Sequence, residues 1–537
     1  MSSIKAKTEK GKMQEESIKG VDVPKKASIE VPPPILTKDI KEMVTADVVV
    51  VGAGVAGLSA ALSAAEAGAK TVALEKLPSS NYRGGWNAAI DDRLLKKAGA
   101  KINKEEVIYT IMEWGAYRND QKVVKLWVDK CGEVMDWLLD MCEEANVEVV
   151  LDLVTRPWYF PNYPVVHYFF PLDAITGFPS QKSLVNMLSN NARARGVDFR
   201  FNTPAVRLLR EGRGRVTGVI AQNAEGAYIQ FNARNAVVLC SGDYGSDKEM
   251  VKKYADPRAL DVENLYPIWT AFSTGVADGR TNTGDGHKIG MWIGAAIDDP
   301  PHCAMLFDAA GEGSAANWAG NWDISRQPWL VVNINGERFM NEDIPWAYET
   351  NQILQQPGRY GWSVWDDKFR EEWPKFKCNC CKSIGPPLNY YKEERFMNDV
   401  ERGLVLRGQT IEELAQKMKL PVETFKATVA RYNELARSGK DLDFGKHPDR
   451  LTTLEKPPFY TSQVRGCVLV ILGGLKINNK LQVLDTGGNP IPGLYAAGNV
   501  SGSFFGDQYP TTVPGLTHSR AWTFGRLAGL AAAADKV

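Results

Sequence analysis

The stretch that decides the fold is residues 46–76, ADVVVVGAGVAGLSAALSAAEAGAKTVALEK. Its valine-rich start, residues 47–51, predicts a strand that is buried on both faces. The strand leads directly into Gly52-x-Gly54-x-x-Gly57. In a turn of this spacing, Gly52 permits the sharp bend, Gly54 lets the backbone approach a pyrophosphate, and Gly57 lets helix and strand pack closely. The strand is therefore predicted to end in a dinucleotide-binding loop.

The residues after the glycines continue the same unit. The alanine-rich segment 60–67 predicts a helix that Gly68 ends, and its N-terminus would present N–H groups to the phosphates. A second strand, residues 71–74, then brings Glu75 to the position where such units keep an acid for the ribose hydroxyls. All parts occur in register, which favours a bound dinucleotide over the alternative, a glycine-rich turn without a ligand.

Composition excludes several classes of protein. The 537-residue chain balances 64 basic against 64 acidic residues, so neither a nucleic acid nor an anionic membrane is expected as a partner. No apolar run reaches the roughly 18 to 20 residues of a membrane span. The amino terminus lacks the features of an export signal, which predicts a cytoplasmic protein. The length predicts two or more domains.

The cysteines predict neither a disulfide framework nor a metal site. Eight cysteines in a chain of this length are typical of reduced thiols. Cys378, Cys380 and Cys381 include a C-x-x-C spacing, but no second pair or histidine lies near them in sequence to complete a tetrahedral site. Metal or cluster binding at these three residues is the alternative interpretation.

A second glycine-bearing loop, SNYRGGWNAA, occupies residues 80–89. With this loop the chain resembles the FAD-dependent flavoproteins of the fumarate reductase and succinate dehydrogenase superfamily, in which it lies along the FAD. Further stretches that resemble motifs of the superfamily are residues 199–206, 213–219, 237–245, 283–286, 330–342, 473–477, 492–499 and 523–529. The resemblance covers residues 46–535.

The resemblance implies an α/β fold with a Rossmann-like FAD-binding domain of the glutathione-reductase type and an inserted α+β capping domain. Residues 1–45 are polar and predict a flexible N-terminal arm. The FAD-binding domain is expected over 46–299 and again over 466–537, with the capping domain over 300–465. A hairpin around Asn335-Gly336 is expected in the capping domain. Members that hold FAD covalently use a histidine in the 80–89 loop; this chain has none, which predicts non-covalent FAD.

The resemblance also assigns the residues that bind FAD. They are Gly52, Gly54, Ala56, Gly57, Glu75, Lys76, Ser80, Asn81, Gly84, Gly85, Trp86, Ala205, Val206, Ser241, Gly242, Asp285, Gly498, Asn499, Gly515, Leu516 and Thr517. A helix that starts near Thr517 would aim its N-terminus at the flavin and stabilise the anionic reduced ring. His518 lies at this helix start, where capping, flavin contact and proton transfer are all open.

Three positions that bind a dicarboxylate in the fumarate enzymes differ here. Val470 stands where those enzymes carry a substrate histidine, Trp346 where they carry the proton-donating arginine, and Tyr509 where they carry a carboxylate-clamping arginine. Cationic side chains are what bind two anionic ends. A small dicarboxylate is therefore not expected as the substrate.

The replacements resemble the 3-ketosteroid dehydrogenase branch, in which a Tyr-Pro tyrosine and a glycine N–H bind the ketone oxygen. Tyr509-Pro510 and Gly515 match that pattern, but the second tyrosine of the branch is replaced by Trp346. We expect an FAD-dependent oxidoreductase, acting mainly as a reductase, that transfers a hydride between flavin N5 and the activated C=C bond of an apolar or steroid-like α,β-unsaturated carbonyl compound.

The resemblance gives each candidate catalytic residue a role. Tyr509 and the Gly515 N–H would hold the carbonyl oxygen, and Tyr348, His302 or Arg326 would supply the proton. For each of these side chains, a purely structural contact is the alternative.

Other functions stay open at this point. They are a steroid dehydrogenase that runs in the oxidative direction, a fumarate reductase-like enzyme with a non-standard carboxylate site, an oxidase or electron-transfer subunit, and a silent FAD-binding protein. Because the sequence shows no second nucleotide fingerprint and no haem motif, a separate electron donor is expected.

Overall fold

The computed structural model describes residues 29–155, 162–171, 180–264, 281–310, 322–376 and 391–536. The strands, in chain order, are β1 (Ile40–Val51), β2 (Thr71–Leu74), β3 (Asn87–Ala88), β4 (Val149–Asp152), β5 (Val166–Phe169), β6 (Asp198–Arg200), β7 (Ala205–Arg210), β8 (Val216–Gln222), β9 (Tyr228–Leu239), β10 (Glu263–Asn264), β11 (Ala304–Ala310), β12 (Leu330–Val332), β13 (Tyr360–Asp366), β14 (Leu406–Gly408), β15 (Phe459–Ile471), β16 (Gln482–Leu484) and β17 (Pro490–Ala496).

The helices are α1 (Val55–Glu66), α2 (Arg93–Lys97), α3 (Lys104–Trp114), α4 (Gln121–Ala145), α5 (Lys182–Ala194), α6 (Lys248–Tyr254), α7 (Asp285–Met291), α8 (Trp322–Ser325), α9 (Trp346–Leu354), α10 (Phe369–Glu372), α11 (Glu393–Glu401), α12 (Ile411–Met418), α13 (Val422–Ser438) and α14 (Leu516–Ala534). Within the described ranges, no helix is both long enough and apolar enough to cross a membrane.

Strand β1 lies inside the larger sheet, whose order is β16-β17-β9-β1-β2-β6. Its neighbours β2 and β9 both run parallel to it. Val48, Val49 and Val50 are fully buried, since the sheet is covered on both faces there. Strands β8 and β7 continue antiparallel from β9. The prediction of a Rossmann-like α/β fold is thereby confirmed.

Helices α1 and α14 join the opening and closing segments of the chain. They approach so closely that a Cβ added at Gly525 would lie 2.3 Å from the carbonyl oxygen of Ala56. A Cβ at Gly529 would lie 2.2 Å from the carbonyl oxygen of Ala60. Only glycine permits this contact. Because Gly525 lies next to Ala56 and Gly529 next to Ala60, the two helices run parallel and their N-termini point in the same direction.

The smaller sheet forms the α+β part of the fold that the resemblance implies. Its order is β10-β15-β13-β12, with β11 and β14 also paired to β15. Strands β11, β13 and β14 run antiparallel to β15. Helices α12 and α13 pack on this sheet through Leu414, Phe425 and Tyr432, which share a buried cluster with Trp362.

The hairpin expected around Asn335-Gly336 differs from the prediction. Only its first arm is a strand, β12, and that strand pairs with β13. The second arm contacts β12 through a single bridge between Val332 and Arg338. The Arg338 side chain in this second arm pairs instead with Glu342 and Asp441, both at 2.8 Å.

The predicted N-terminal arm also needs a correction. Residues 40–45 belong to β1, where the ladder with β9 satisfies their backbone groups. The carbonyl oxygens of Pro32 and Pro33 accept hydrogen bonds from Arg207 Nη2 at 2.6 and 2.9 Å. The other predicted domain bounds stay predictions. Strand β10, which lies in the predicted FAD-binding domain, pairs with β15 of the smaller sheet. Residues 1–28 and the cysteines at 378, 380 and 381 lie outside the described residues.

Candidate active site

A continuous cavity that is partly open to solvent begins at the carboxyl end of β1. The predicted FAD-binding residues that line it are Gly52, Gly54, Ala56, Glu75, Lys76, Asn81, Gly84, Trp86, Ala205, Ser241, Gly242, Asp285, Gly498, Asn499, Gly515 and Thr517. The structure places Gly57, Ser80, Gly85, Val206 and Leu516 outside this lining. Sixteen positions from distant parts of the sequence thus converge on one site.

The glycines of the β1–α1 turn have two different roles. A Cβ at Gly57 would lie 1.8 Å from the Gly52 carbonyl oxygen, so this glycine is required by packing. At Gly54, by contrast, a Cβ would meet only the Asn81 carbonyl oxygen, at 3.7 Å, and would project into space that lines the cavity. The protein itself does not require glycine at this position, which fits the close approach of a ligand.

Glu75 lies at the end of β2 with its carboxylate fixed. One oxygen accepts a hydrogen bond from the Ala53 N–H at 2.8 Å, and the other accepts one from the Leu77 N–H at 2.9 Å. Burial raises the pKa of Glu75, while these two N–H groups favour its charged form. The carboxylate is therefore held rigidly beside the phosphate turn, as a ribose-binding acid requires.

Lys76 and Asp285 form an ion pair on the cavity wall, with Nζ 2.8 Å from Oδ2. Lys76 Nζ also donates to the Thr283 hydroxyl at 2.7 Å. Burial raises the pKa of Asp285, but the charge and hydrogen bond of Lys76 and the hydrogen bond from Thr283 together hold that pKa below its ordinary value. Asp285, the acid of the 283–286 motif, is therefore linked by its ion pair with Lys76 to the loop after β2.

Helix α14 starts at the cavity. Gly515, with φ of +84°, is its N-cap, and its first turn contains no acidic side chain that would cancel the partial positive charge. His518 Nδ1–H donates to the Trp86 carbonyl oxygen at 2.8 Å. Because burial lowers the pKa of His518 to about 4, its ring is neutral at pH 7.

These features fit FAD. The N-terminus of α1 begins at Gly54 and has no acidic residue in its first turn, which suits a diphosphate. Glu75 suits the ribose hydroxyls, and the N-terminus of α14 suits a ring that becomes negative on reduction.

The far end of the cavity is apolar. Trp346 at the start of α9, Val470 near the end of β15 and Tyr509 before α14 all line it. Met305, Phe307 and Leu469 complete this wall. The three replacements recognised from the sequence therefore line the same cavity, although they come from three separate segments.

Tyr509 is buried and connects the apolar end to the start of α14. Its hydroxyl oxygen accepts from the Thr517 N–H at 3.5 Å, and its ring lies 5.6 Å from the Phe505 ring.

The other three candidate catalytic residues do not line the cavity that the described residues form. The Tyr348 ring stacks on Trp114, with ring centroids 5.1 Å apart. His302 accepts a hydrogen bond from the Tyr244 hydroxyl at 2.6 Å and donates one to the Asp298 carbonyl oxygen at 2.8 Å. Burial lowers the pKa of His302 to about 4.

Arg326 lies behind the apolar wall. Its Nε and Nη2 each donate to a carboxylate oxygen of Asp308 at 3.0 Å. Its guanidinium lies 5.2 Å from the centroid of the Trp346 ring. The fold therefore gives Tyr348, His302 and Arg326 side-chain partners outside the cavity lining, and their role as proton donors stays a prediction.

Several lining residues had no prediction from the sequence. They are Tyr82, Arg83, Thr203, Pro204, Thr281, Asn282, Met305, Phe307, Leu469, Thr511, Pro514 and Ala521. Thr203 and Pro204 directly precede Ala205, and Asn282 directly precedes the 283–286 motif, so proximity to a motif could have identified them. Phe307 lies in a strand that carries no motif, and only the pairing of β11 with β15 brings it to the site.

Comparison with known proteins agrees with this geometry. Residues 47–511 match the family described as the FAD binding domain. The chain belongs to this family. It is 29% identical over 504 residues to the vinyl phenol reductase of Lactiplantibacillus plantarum, which covers 91% of this chain and 96% of that protein. It is 27% identical to the 3-oxosteroid 1-dehydrogenase of Mycolicibacterium smegmatis, over 91% of this chain and 97% of that protein.

A solved structure extends the agreement to the fold. The open conformation of a flavocytochrome c3 fumarate reductase superposes with a TM-score of 0.71 at 26% sequence identity, covering 95% of this chain and 83% of that one. Membership of the FAD binding domain family identifies FAD as the cofactor of this protein.

Proposed function

We propose that this protein is an FAD-dependent oxidoreductase that reduces the activated C=C bond of an apolar α,β-unsaturated carbonyl compound. The observation that carries the proposal is that Trp346, Val470 and Tyr509 all line the FAD cavity. Apolar and phenolic groups stand there in place of cations that would hold a dicarboxylate. The names of related proteins, vinyl phenol reductase and 3-oxosteroid 1-dehydrogenase, support reactions at C=C or CH–CH bonds.

The residues of the chain would act on the carbonyl oxygen. FAD held by the β1–α1 turn, Glu75 and the start of α14 would supply, when reduced, a hydride to one carbon of the double bond, and solvent that enters the open side of the cavity would supply the proton to the neighbouring carbon. Tyr509 would donate a hydrogen bond to the oxygen, which gains negative charge as the hydride arrives. The Gly515 N–H, at the positive end of α14, would stabilise the same charge. Phe307, Trp346 and Val470 would provide apolar contacts for the carbon skeleton of the substrate.

Two features of the cofactor cycle belong to the same proposal. The loop at residues 80–89 contains no histidine, which supports non-covalent attachment of FAD. An external electron donor would reduce the flavin, since the sequence carries no second nucleotide fingerprint.

The test is an anaerobic reoxidation experiment on the FAD-loaded protein. The flavin is reduced chemically, and fumarate, a steroid enone or an aryl enone is added while the visible flavin absorbance is followed. We expect fast reoxidation by at least one of the two enones and none by fumarate. Fast reoxidation by fumarate, or by oxygen alone, would contradict the proposal.

The oxidative direction is a second candidate, because Tyr509 and the start of α14 can hold the oxygen of a saturated ketone equally well. In that case a saturated 3-ketosteroid would bleach the oxidised flavin in the absence of other reductants. Bleaching faster than enone-driven reoxidation would favour the dehydrogenase.

A further inference from the structure

Arg83 brings a guanidinium to the apolar end of the cavity. It lies in the 80–89 loop and lines the cavity. Its Nη1 donates to the Leu469 carbonyl oxygen at 3.3 Å, and Leu469 is the neighbour of Val470 in β15. Its Nη2 donates to Asp243 Oδ2 at 3.0 Å. The guanidinium is thus fixed between the two sheets.

Asp243 is a buried anion behind that guanidinium, and its side chain is 0% exposed. It also accepts hydrogen bonds from Asn282 Nδ2 at 2.7 Å and from the Gly245 N–H at 2.8 Å. Three donors from three segments hold the carboxylate in place. They keep its negative charge directly next to the positive charge of Arg83.

A second arginine, outside the cavity lining, is also paired with an aspartate. Arg326, behind Trp346, is paired with the buried Asp308. The Arg83–Asp243 pair at the cavity lining and the Arg326–Asp308 pair beside Trp346 thus each join an arginine to an aspartate. His518 is neutral, since burial lowers its pKa to about 4.

We infer that the Arg83–Asp243 pair selects uncharged unsaturated substrates, ketones or esters, over carboxylic acids. Arg83 donates a hydrogen bond to a neutral oxygen of the substrate, while Asp243 cancels the charge that would otherwise attract an anion. This inference rests on the proposed function and specifies its substrate class.

The selection of neutral over anionic substrates follows from the low polarity of the apolar end of the cavity. A carboxylate that enters loses its hydration and meets Asp243 as well as Arg83, so attraction and repulsion largely cancel. A carbonyl oxygen loses less hydration and still gains a hydrogen bond from Arg83.

The test compares cinnamate with its methyl ester, which share one carbon skeleton and differ in charge. The quantity is the ratio of kcat/KM for the ester to kcat/KM for the acid, at pH 7. We expect the wild-type protein to favour the ester. Asp243→Asn leaves Arg83 uncompensated and should shift the ratio toward the acid by about tenfold or more. The double variant Arg83→Gln with Asp243→Asn removes both charges and should return the ratio to within about threefold of the wild type.

Binding provides a second readout that does not depend on turnover. The saturated acid 3-phenylpropanoate is titrated against the oxidised holoenzyme, and the flavin absorbance change gives its Kd. Asp243→Asn should tighten this binding about tenfold, whereas Arg83→Gln, which leaves Asp243 uncompensated, should weaken it. Arg234→Gln is the matched control, because Arg234 is exposed and pairs with Asp47 away from the cavity. Flavin content is measured for every variant.

The outcomes distinguish a failure of the proposed function from a failure of the inference about Arg83 and Asp243. If no C=C acceptor reoxidises the wild-type flavin, the proposed function fails. If acceptors work but Asp243→Asn changes neither the ester-to-acid ratio nor the Kd, only the inference about Arg83 and Asp243 fails. If Asp243→Asn does not retain FAD, the Kd of 3-phenylpropanoate in the Arg83→Gln variant decides instead. A weaker binding would support the inference, and an unchanged or tighter binding would overturn it.

Discussion

Tyr509 is the residue on which the proposed chemistry depends most directly. It is the candidate carbonyl-binding group whose hydroxyl lies both on the apolar wall and within reach of the α14 N-terminus. Phenylalanine at this position keeps the ring contact with Phe505 but removes the donor.

We predict that Tyr509→Phe lowers kcat/KM for the accepted enone by about a hundredfold with FAD content unchanged, as loss of an oxyanion donor does. Stopped-flow reoxidation measures the effect. Tyr348→Phe is the comparison, because Tyr348 stacks on Trp114 outside the cavity wall, and it should change the rate less than about threefold. Equal losses in both variants would disprove the assignment of Tyr509.

His302 gives the protein a predictable response to acid. Its folded pKa lies near 4, below the ordinary value of 6.5, so the unfolded chain binds more protons between these values. The contribution of His302 to stability is therefore complete above pH 6.5 and is lost as the pH falls toward 4. His287, whose pKa burial lowers to about 3, acts in the same direction.

The His302→Gln variant tests this response. Glutamine can donate to the Asp298 carbonyl and accept from Tyr244 without titrating. We predict that the decrease in Tm between pH 6.5 and pH 4.5 is smaller in the variant than in the wild type, though not absent because His287 and His518 remain. Thermal unfolding of both proteins at the two pH values measures it, and an identical decrease would contradict the role of His302.

At the scale of elements, two glycines of the β1–α1 turn have different roles, one in packing and one in ligand binding. Gly57 is enclosed by the Gly52 carbonyl, whereas Gly54 faces the cavity with an ordinary φ of −77°. The same substitution should therefore have different consequences at positions three residues apart.

We predict that Gly57→Ala lowers the free energy of unfolding of the apoprotein by about 2–3 kcal/mol, as overpacking does. Gly54→Ala should leave the apoprotein Tm nearly unchanged but weaken FAD binding by at least about tenfold, since its methyl group enters the ligand space. Thermal unfolding without FAD and fluorescence titration with FAD measure the two effects. A large loss of apoprotein stability in Gly54→Ala would show that this glycine, too, serves packing.

At the scale of the whole molecule, the cofactor cavity is built by segments far apart in the chain. The phosphate turn comes from residues 52–57, the closing loop and helix come from residues 498–521, and β11 and β15 of the smaller sheet supply the apolar end. Bound FAD would contact most of these segments at once and would stabilise their arrangement.

We predict that added FAD raises the Tm of the apoprotein, and that acid precipitation of the holoprotein releases all flavin into the supernatant. The second result follows from a loop at residues 80–89 that offers no histidine for covalent attachment. Absorbance of the supernatant and of the redissolved pellet measures the distribution. Flavin retained in the pellet would contradict non-covalent binding.

The sequence by itself determined the parts of this protein that are local. The spacing of Gly52, Gly54 and Gly57, the valines before them and Glu75 after them predict the phosphate turn, because a tight turn and a close backbone approach depend on neighbouring residues. The identities of Val470, Trp346 and Tyr509 likewise indicated an apolar substrate end, since each could be placed by an adjacent motif.

Only the tertiary structure decided which polar groups reach that end. His302, Arg326 and Tyr348 have suitable chemistry, yet Tyr244, Asp308 and Trp114 hold them elsewhere. Arg83 carried no predicted role, and its partner Asp243 lies 160 residues away in the sequence. The direction of a buried side chain depends on the partners that packing brings to it, and those partners come from segments whose contact no local pattern specifies.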